Sequence, residues 1–236
     1  MKRAFTLAEV LITLGIIGVV SALTIPTLIQ NYQKQATATS LKKAYSELNQ
    51  VLQMSIADNG DPATWNYNSS EELPNWIKTY IEPYVKVIES GGDCQLSKKT
   101  CHGMPPIKAL QSKASASYPH YYVVKGGNAP AWAFYRYGGG YASTVRVRVY
   151  LRKPKGQAYI GKDVFTFTFV PSQDKAFKPY GLGKANRDAL LTPRGIHNGS
   201  CNKSTGGGDY FGPGDACSTV IMLDGWKISK DYPWSN

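Results

Sequence analysis

The apolar residues of this chain fall into three regimes. From residue 5 to residue 29 they run nearly without a break, and Glu9 is the one formal charge among them. A helix over that stretch is about 37 Å long at ~1.5 Å per residue. That is enough to cross the ~30 Å hydrocarbon layer of a bilayer. From residue 30 to residue 59 the spacing changes. Leu41, Tyr45, Leu48, Leu52 and Ile56 recur at steps of four, three, four and four, while Lys42, Lys43, Glu47, Asn49 and Gln50 lie on the other side. Such spacing predicts one apolar helix face. Asp58-Asn59-Gly60-Asp61-Pro62 is a stop signal. The two stretches read as one helix of about 50 residues, ~80 Å long. Pro26 is placed to kink it, because the ring removes a hydrogen bond and crowds the preceding turn.

Beyond residue 60 the pattern shortens. A brief helix is predicted between Pro74 and Pro83. Strand signals follow. Tyr121 to Val124 is β-prone. In STVRVRVYLR, Val145, Val147, Val149 and Leu151 alternate with Arg146, Arg148, Tyr150 and Arg152. Phe165, Phe167 and Phe169 alternate with Thr166 and Thr168. These are period-two strands, and the arginines predict a basic outer face. STVIMLDGWKIS reads as a hairpin turning at Asp224-Gly225. The expected fold class is α+β: a long N-terminal helix, transmembrane in its first half and amphipathic in its second, packed on an antiparallel sheet. The expected organisation is an apolar helix at 5–29, its amphipathic continuation at 30–59, and a globular domain at 60–236.

The chain has 236 residues and a formal net charge of +11. That charge suits anionic partners. Arg146, Arg148, Arg152, Lys153 and Lys155, with Tyr150 among them, form a stripe open to DNA binding. A solvated strand face is the plainer account of it. Lys2 and Arg3 precede the apolar run, which predicts a cytoplasmic N-terminus and an exported remainder. The four cysteines all lie beyond residue 90, as export would have it. Four cysteines allow three connectivities. Proximity favours Cys94–Cys101 and Cys201–Cys217. Cys101 is followed by His102, but no Cys-x-x-Cys spacing supports zinc, and no metal is expected. Asp209 and Asp215 make calcium in the C-terminal loops a weak alternative to plain loop polarity. His102, His120 and His197 are scattered. Gly-x-Ser-x-Gly, His-Glu-x-x-His and Walker loops are absent, so neither an enzyme nor a bound cofactor is expected.

Lys2-Arg3-Ala4-Phe5-Thr6-Leu7-Ala8-Glu9 resembles the class III signal of type IV pilins and type II secretion pseudopilins. The resemblance implies that residues 1–4 are a leader, cut by prepilin peptidase between Ala4 and Phe5. Phe5 would then be N-methylated, and Glu9 would be the fifth mature residue. Pro26 matches the family's helix-kinking proline. Ala4 departs from the glycine usual before the cut. The resemblance further implies a filament with other pilins or pseudopilins, built on an inner-membrane assembly platform. In it, Glu9 pairs with the Phe5 ammonium of a neighbouring subunit. A C-terminal disulfide-closed loop is also similar to pilins. The implied location is the bacterial inner membrane, single-pass, and then a filament in the periplasm or at the cell surface. Three function classes follow: a structural filament subunit, a DNA-binding minor pilin for uptake, and a membrane-anchored surface enzyme, for which no catalytic constellation speaks.

Overall fold

A computed structural model describes residues 6–65, 72–96, 101–110, 121–126, 131–137, 144–152, 156–192, 200–202 and 214–234. Helix α1 spans Leu7–Asn59, 53 residues, and continues through Pro26. Its two halves meet different surroundings. Leu41, Ala44, Leu48, Val51 and Leu52 are buried, and Tyr45 and Ile56 pack beside them. Up to Ile29, by contrast, the large apolar residues are exposed. Gly60 ends the helix with φ 78° and donates its N–H to the Ile56 carbonyl. A left-handed conformation of this kind favours glycine.

After a 3-10 turn at Pro62–Thr64, α2 covers Leu73–Tyr80, the brief helix the sequence predicts, with Pro74 in its first turn and Pro83 beyond its end. Eight strands follow: β1 Val87–Cys94, β2 Ile107–Lys108, β3 Tyr121–Gly126, β4 Ala131–Tyr137, β5 Thr144–Tyr150, β6 Ala158–Tyr159, β7 Val164–Phe169 and β8 Lys178–Pro179. Six form one sheet in the order β1-β3-β4-β5-β7-β8. Every pair in it is antiparallel. The long helix and this sheet establish an α+β layout. Val145, Val147, Val149, Phe165, Phe167 and Phe169 share one core with Leu41, Leu48 and Leu52 of α1. Tyr45 stacks on Phe167 at 5.5 Å between ring centroids.

Polar groups fix the helix along this seam. The Asn49 amide donates to the Phe177 carbonyl at 3.3 Å and accepts from its N–H at 2.7 Å. Gln53 donates to the Lys175 carbonyl at 2.6 Å. Asn49 therefore does not face away from the sheet, as its place opposite the apolar stripe suggests. It behaves as a peptide unit and satisfies backbone groups just before the edge strand β8.

Two expectations are corrected. Residues 217–223 form a helix, α4 (Cys217–Leu223), and not the first strand of a hairpin. A short apolar run cannot be told from a buried helix by periodicity alone. Here Ser218 and Thr219 donate their hydroxyls to the Thr166 and Tyr180 carbonyls, both at 2.7 Å. The helix thus presents donors to sheet residues that a strand pairing at this place would have had to reach with its backbone. The second correction concerns β5. Its arginine face is not solvated, because a second layer lies over it. That layer holds the short parallel pair β2–β6, together with Leu96, Met104 and Ile160. A short helix, α3 (Arg187–Leu191), completes the fold.

Candidate functional site

The apolar end of α1 begins at its cap, Thr6. Its side chain accepts the Glu9 N–H at 3.3 Å, while Glu9 Oε2 accepts the Thr6 N–H at 2.9 Å and the Thr6 hydroxyl at 2.8 Å. This is a capping box, in which two helix-end donors satisfy each other's partners. Thr-x-x-Glu is its sequence signature, and an assembly role for Glu9 taken alone overlooks it. Among the described residues Glu9 Oε1 has no partner, so one oxygen of the carboxylate remains available. Ala4 and Phe5 lie outside the described residues.

The helix beyond this cap is long and apolar enough to cross a membrane, and none of that stretch is buried within the protein. Thr13, Thr24 and Thr27 are three of the hydroxyls along it, beside Ser21. They donate to the Val10, Val20 and Thr24 carbonyls at 3.0, 2.9 and 2.8 Å. These three hydroxyl protons are therefore used inside the helix, as an apolar environment would require.

The predicted basic stripe is dismantled by burial. Arg146 and Arg148 are 4% and 0% exposed. Arg148 donates to the Tyr121 hydroxyl at 2.6 Å and to Asp215 Oδ1 at 3.3 Å. Its guanidinium also lies over the Tyr135 ring at 5.3 Å. Thr166 donates to the same Asp215 oxygen at 2.5 Å. Arg146 sits 4.9 Å over the Tyr180 ring. Arg152, at the end of the strand, donates to Asp163 at 2.8 Å. Lys153 and Lys155 lie outside the described residues. Burial raises the Tyr121, Tyr135 and Tyr150 phenols, so all three stay neutral around the Arg148–Asp215 pair. Asp215 is thereby occupied as an arginine partner; Asp209 lies outside the described residues. No composition signal points to Asp215, because its partner is 67 residues away in sequence.

The structure pairs Cys94 with Cys101 and Cys201 with Cys217. The second bridge and the Arg148 ion pair hold the same segment, since Asp215 stands two residues before Cys217. Beside the first bridge, His102 Nδ1 lies 2.7 Å from Glu89 Oε1. Lys125 reaches the other Glu89 oxygen at 3.7 Å. His120 and His197 lie outside the described residues.

A separate ion cluster ties the C-terminal segment to α3. Arg187 bonds Asp224 at 2.7 and 2.8 Å, Asp231 at 2.5 and 2.8 Å, and Ser229 at 2.9 Å. Hydrogen bonds from Arg187 hold both aspartates below the usual carboxylate range. Their contribution to stability is therefore complete above the unfolded carboxylate pKa of about 4 and is lost as pH falls through the lower folded values. Trp226, packed 5.3 Å from Tyr45, reports on this segment. Its near-ultraviolet circular dichroism should change as pH falls below about 4. Arg187→Gln should move that change to higher pH. An unshifted acid transition in the variant would remove the cluster from the account.

The fold and this end-to-end arrangement define a class: an α+β domain carried on a long N-terminal helix whose first half is apolar and uncovered. The chain belongs to the family of unknown function DUF6613, whose model matches residues 27–235. The match begins just after Pro26, so it covers the globular domain and the amphipathic half of α1. No curated protein and no solved structure matches the chain.

Proposed function

We propose that this protein is a structural subunit of a type IV pilus or type II secretion pseudopilus, anchored in the bacterial inner membrane and polymerised through α1. The observation that carries the reading is the junction Arg3-Ala4-Phe5-Thr6-Leu7-Ala8-Glu9, at the head of an apolar helix that none of the described residues covers. A soluble monomer rarely exposes an apolar surface of that size. A bilayer covers it first, and neighbouring helices cover it in a filament. Lys2 and Arg3 favour a cytoplasmic N-terminus and an extracytoplasmic domain, which suits the two disulfides.

Prepilin peptidase is the processing partner on this reading, and the inner-membrane platform is the assembly partner. The oxygen of Glu9 that the cap leaves open is the group offered to a neighbour's Phe5 ammonium. DNA uptake loses its strongest residue-level support, since Arg146 and Arg148 are buried. Mass spectrometry of protein from sheared filaments tests the reading. The mature chain should begin at N-methylated Phe5. Filament protein that retains Met1 would overturn it.

A further inference from the structure

We propose that the Cys94–Cys101 bridge, once reduced, becomes a zinc site completed by His102. The two sulfurs and a ring nitrogen of His102 lie within 4.8 Å of one another. Zinc bonds of ~2.3 Å to sulfur and ~2.0 Å to nitrogen place tetrahedral donors about 3.5–4 Å apart. The two sulfurs must part from bonding distance to reach that spacing, which the 5.6 Å separation of the cysteine Cα atoms allows, while the histidine nitrogen already lies close to both.

The imidazole is held in place by more than loop chemistry. His102 has φ 47°, a conformation uncommon outside glycine. Its ring lies against Gly91 so closely that a Cβ there would stand 2.5 Å from Nε2. Glu89 takes Nδ1 at 2.7 Å, which leaves Nε2 as the nitrogen for a metal. A carboxylate on the far nitrogen is the usual support of a zinc-bound histidine. The charges also balance. Two thiolates, the Glu89 carboxylate, the Lys125 ammonium and a divalent zinc sum to zero. With three protein ligands, the fourth position is left to water.

The chemistry is a redox gate. A dithiol gives two electrons and two protons to the bridge and is itself oxidised to a disulfide. The bridge becomes two thiols. Zinc then displaces both thiol protons to the solvent, and the oxidised reductant leaves as its disulfide. In the oxidised protein the sulfurs are bonded to each other and offer no thiolate. This inference goes beyond the filament reading and does not depend on it.

The test uses the full chain in detergent, reduced with a phosphine and then freed of it, and titrated with cobalt and zinc. The expected result is one metal per reduced chain, a thiolate-to-cobalt charge-transfer band, and none of either in the oxidised chain. Cys94→Ser with Cys101→Ser should abolish uptake, His102→Ala should weaken it strongly, and Glu89→Gln should weaken it about 10–100-fold. Four results would overturn the site: no uptake by the reduced chain, equal uptake by the oxidised chain, uptake retained by the double serine variant, or equal affinity in the urea-unfolded reduced chain. The last would show that the fold contributes nothing.

Discussion

Asp215→Ala should destabilise the protein by about 3–5 kcal/mol, the typical result of removing one partner from a buried ion pair. Both Asp215 and Arg148 have fully buried side chains. The variant leaves the guanidinium buried beside the Tyr121 hydroxyl and two aromatic faces but without its Asp215 carboxylate. It also strips the Thr166 hydroxyl of its acceptor. For a chain of this size the loss corresponds to a fall in melting temperature of roughly 6–20 °C, read by circular dichroism in detergent. Asp215→Asn keeps the size of the side chain and can still accept from Thr166, yet it leaves Arg148 uncompensated, so most of the loss should remain. Arg148→Met combined with Asp215→Leu should recover part of it, because apolar replacement of a whole buried pair is often neutral or better. Recovery stays partial, since the Tyr121 and Thr166 hydroxyls still lose partners. A melting temperature for Asp215→Ala within about 2 °C of the native chain, less than 1 kcal/mol, would show that the pair is not what holds the Cys201–Cys217 segment to the sheet.

That ion pair also marks where the sequence stops being informative. The long helix is legible because its signals are local. An unbroken apolar run and a four-three-four repeat each decide a period within a few turns. The phenylalanine strand and the valine strand are legible for the same reason, and so is the brief helix at Leu73–Tyr80. What local pattern cannot show is what covers the second face of a strand. Arg146 and Arg148 alternate with valines as a half-exposed strand would, and only the overlying β2–β6 layer turns their face into a core. The compensating groups lie on distant strands and on the segment before α4, so no window of sequence contains both charges. The stretch at 217–223 fails differently. It is too short and too apolar to reveal its period, and the hydroxyls that favour a helix there act through sheet carbonyls far away in sequence. Asn49 belongs with these, since its role as a peptide mimic exists only once Phe177 is beside it. At the N-terminal end the opposite holds. Thr6-x-x-Glu9 is a legible cap, and the docking role of Glu9 is a proposal about a second subunit.

Filament assembly should be lost when Glu9 loses its charge, and the cap makes the choice of variant decisive. Glu9→Ala removes two things at once. It deletes the acceptor of the Thr6 N–H, and it deletes the partner proposed for an incoming Phe5 ammonium. Glu9→Gln separates them. Glutamine serves in a capping box as glutamate does, so the helix start should be kept while the charge is gone. Both variants should insert in the membrane and be cleaved, because the leader junction lies before the changed residue. Each should then fail to polymerise. An ammonium entering a bundle of apolar helices without its counter-ion meets a cost of about 3–5 kcal/mol. At ~1.4 kcal/mol per factor of ten, that weakens the docking of a subunit a hundred-fold or more, and it recurs at every addition. Mature membrane protein and sheared filaments, quantified together for the native chain and both variants, give the answer. Glu9→Gln yielding filaments at the native level, beside a defective Glu9→Ala, would assign the carboxylate to the cap alone and withdraw the docking role.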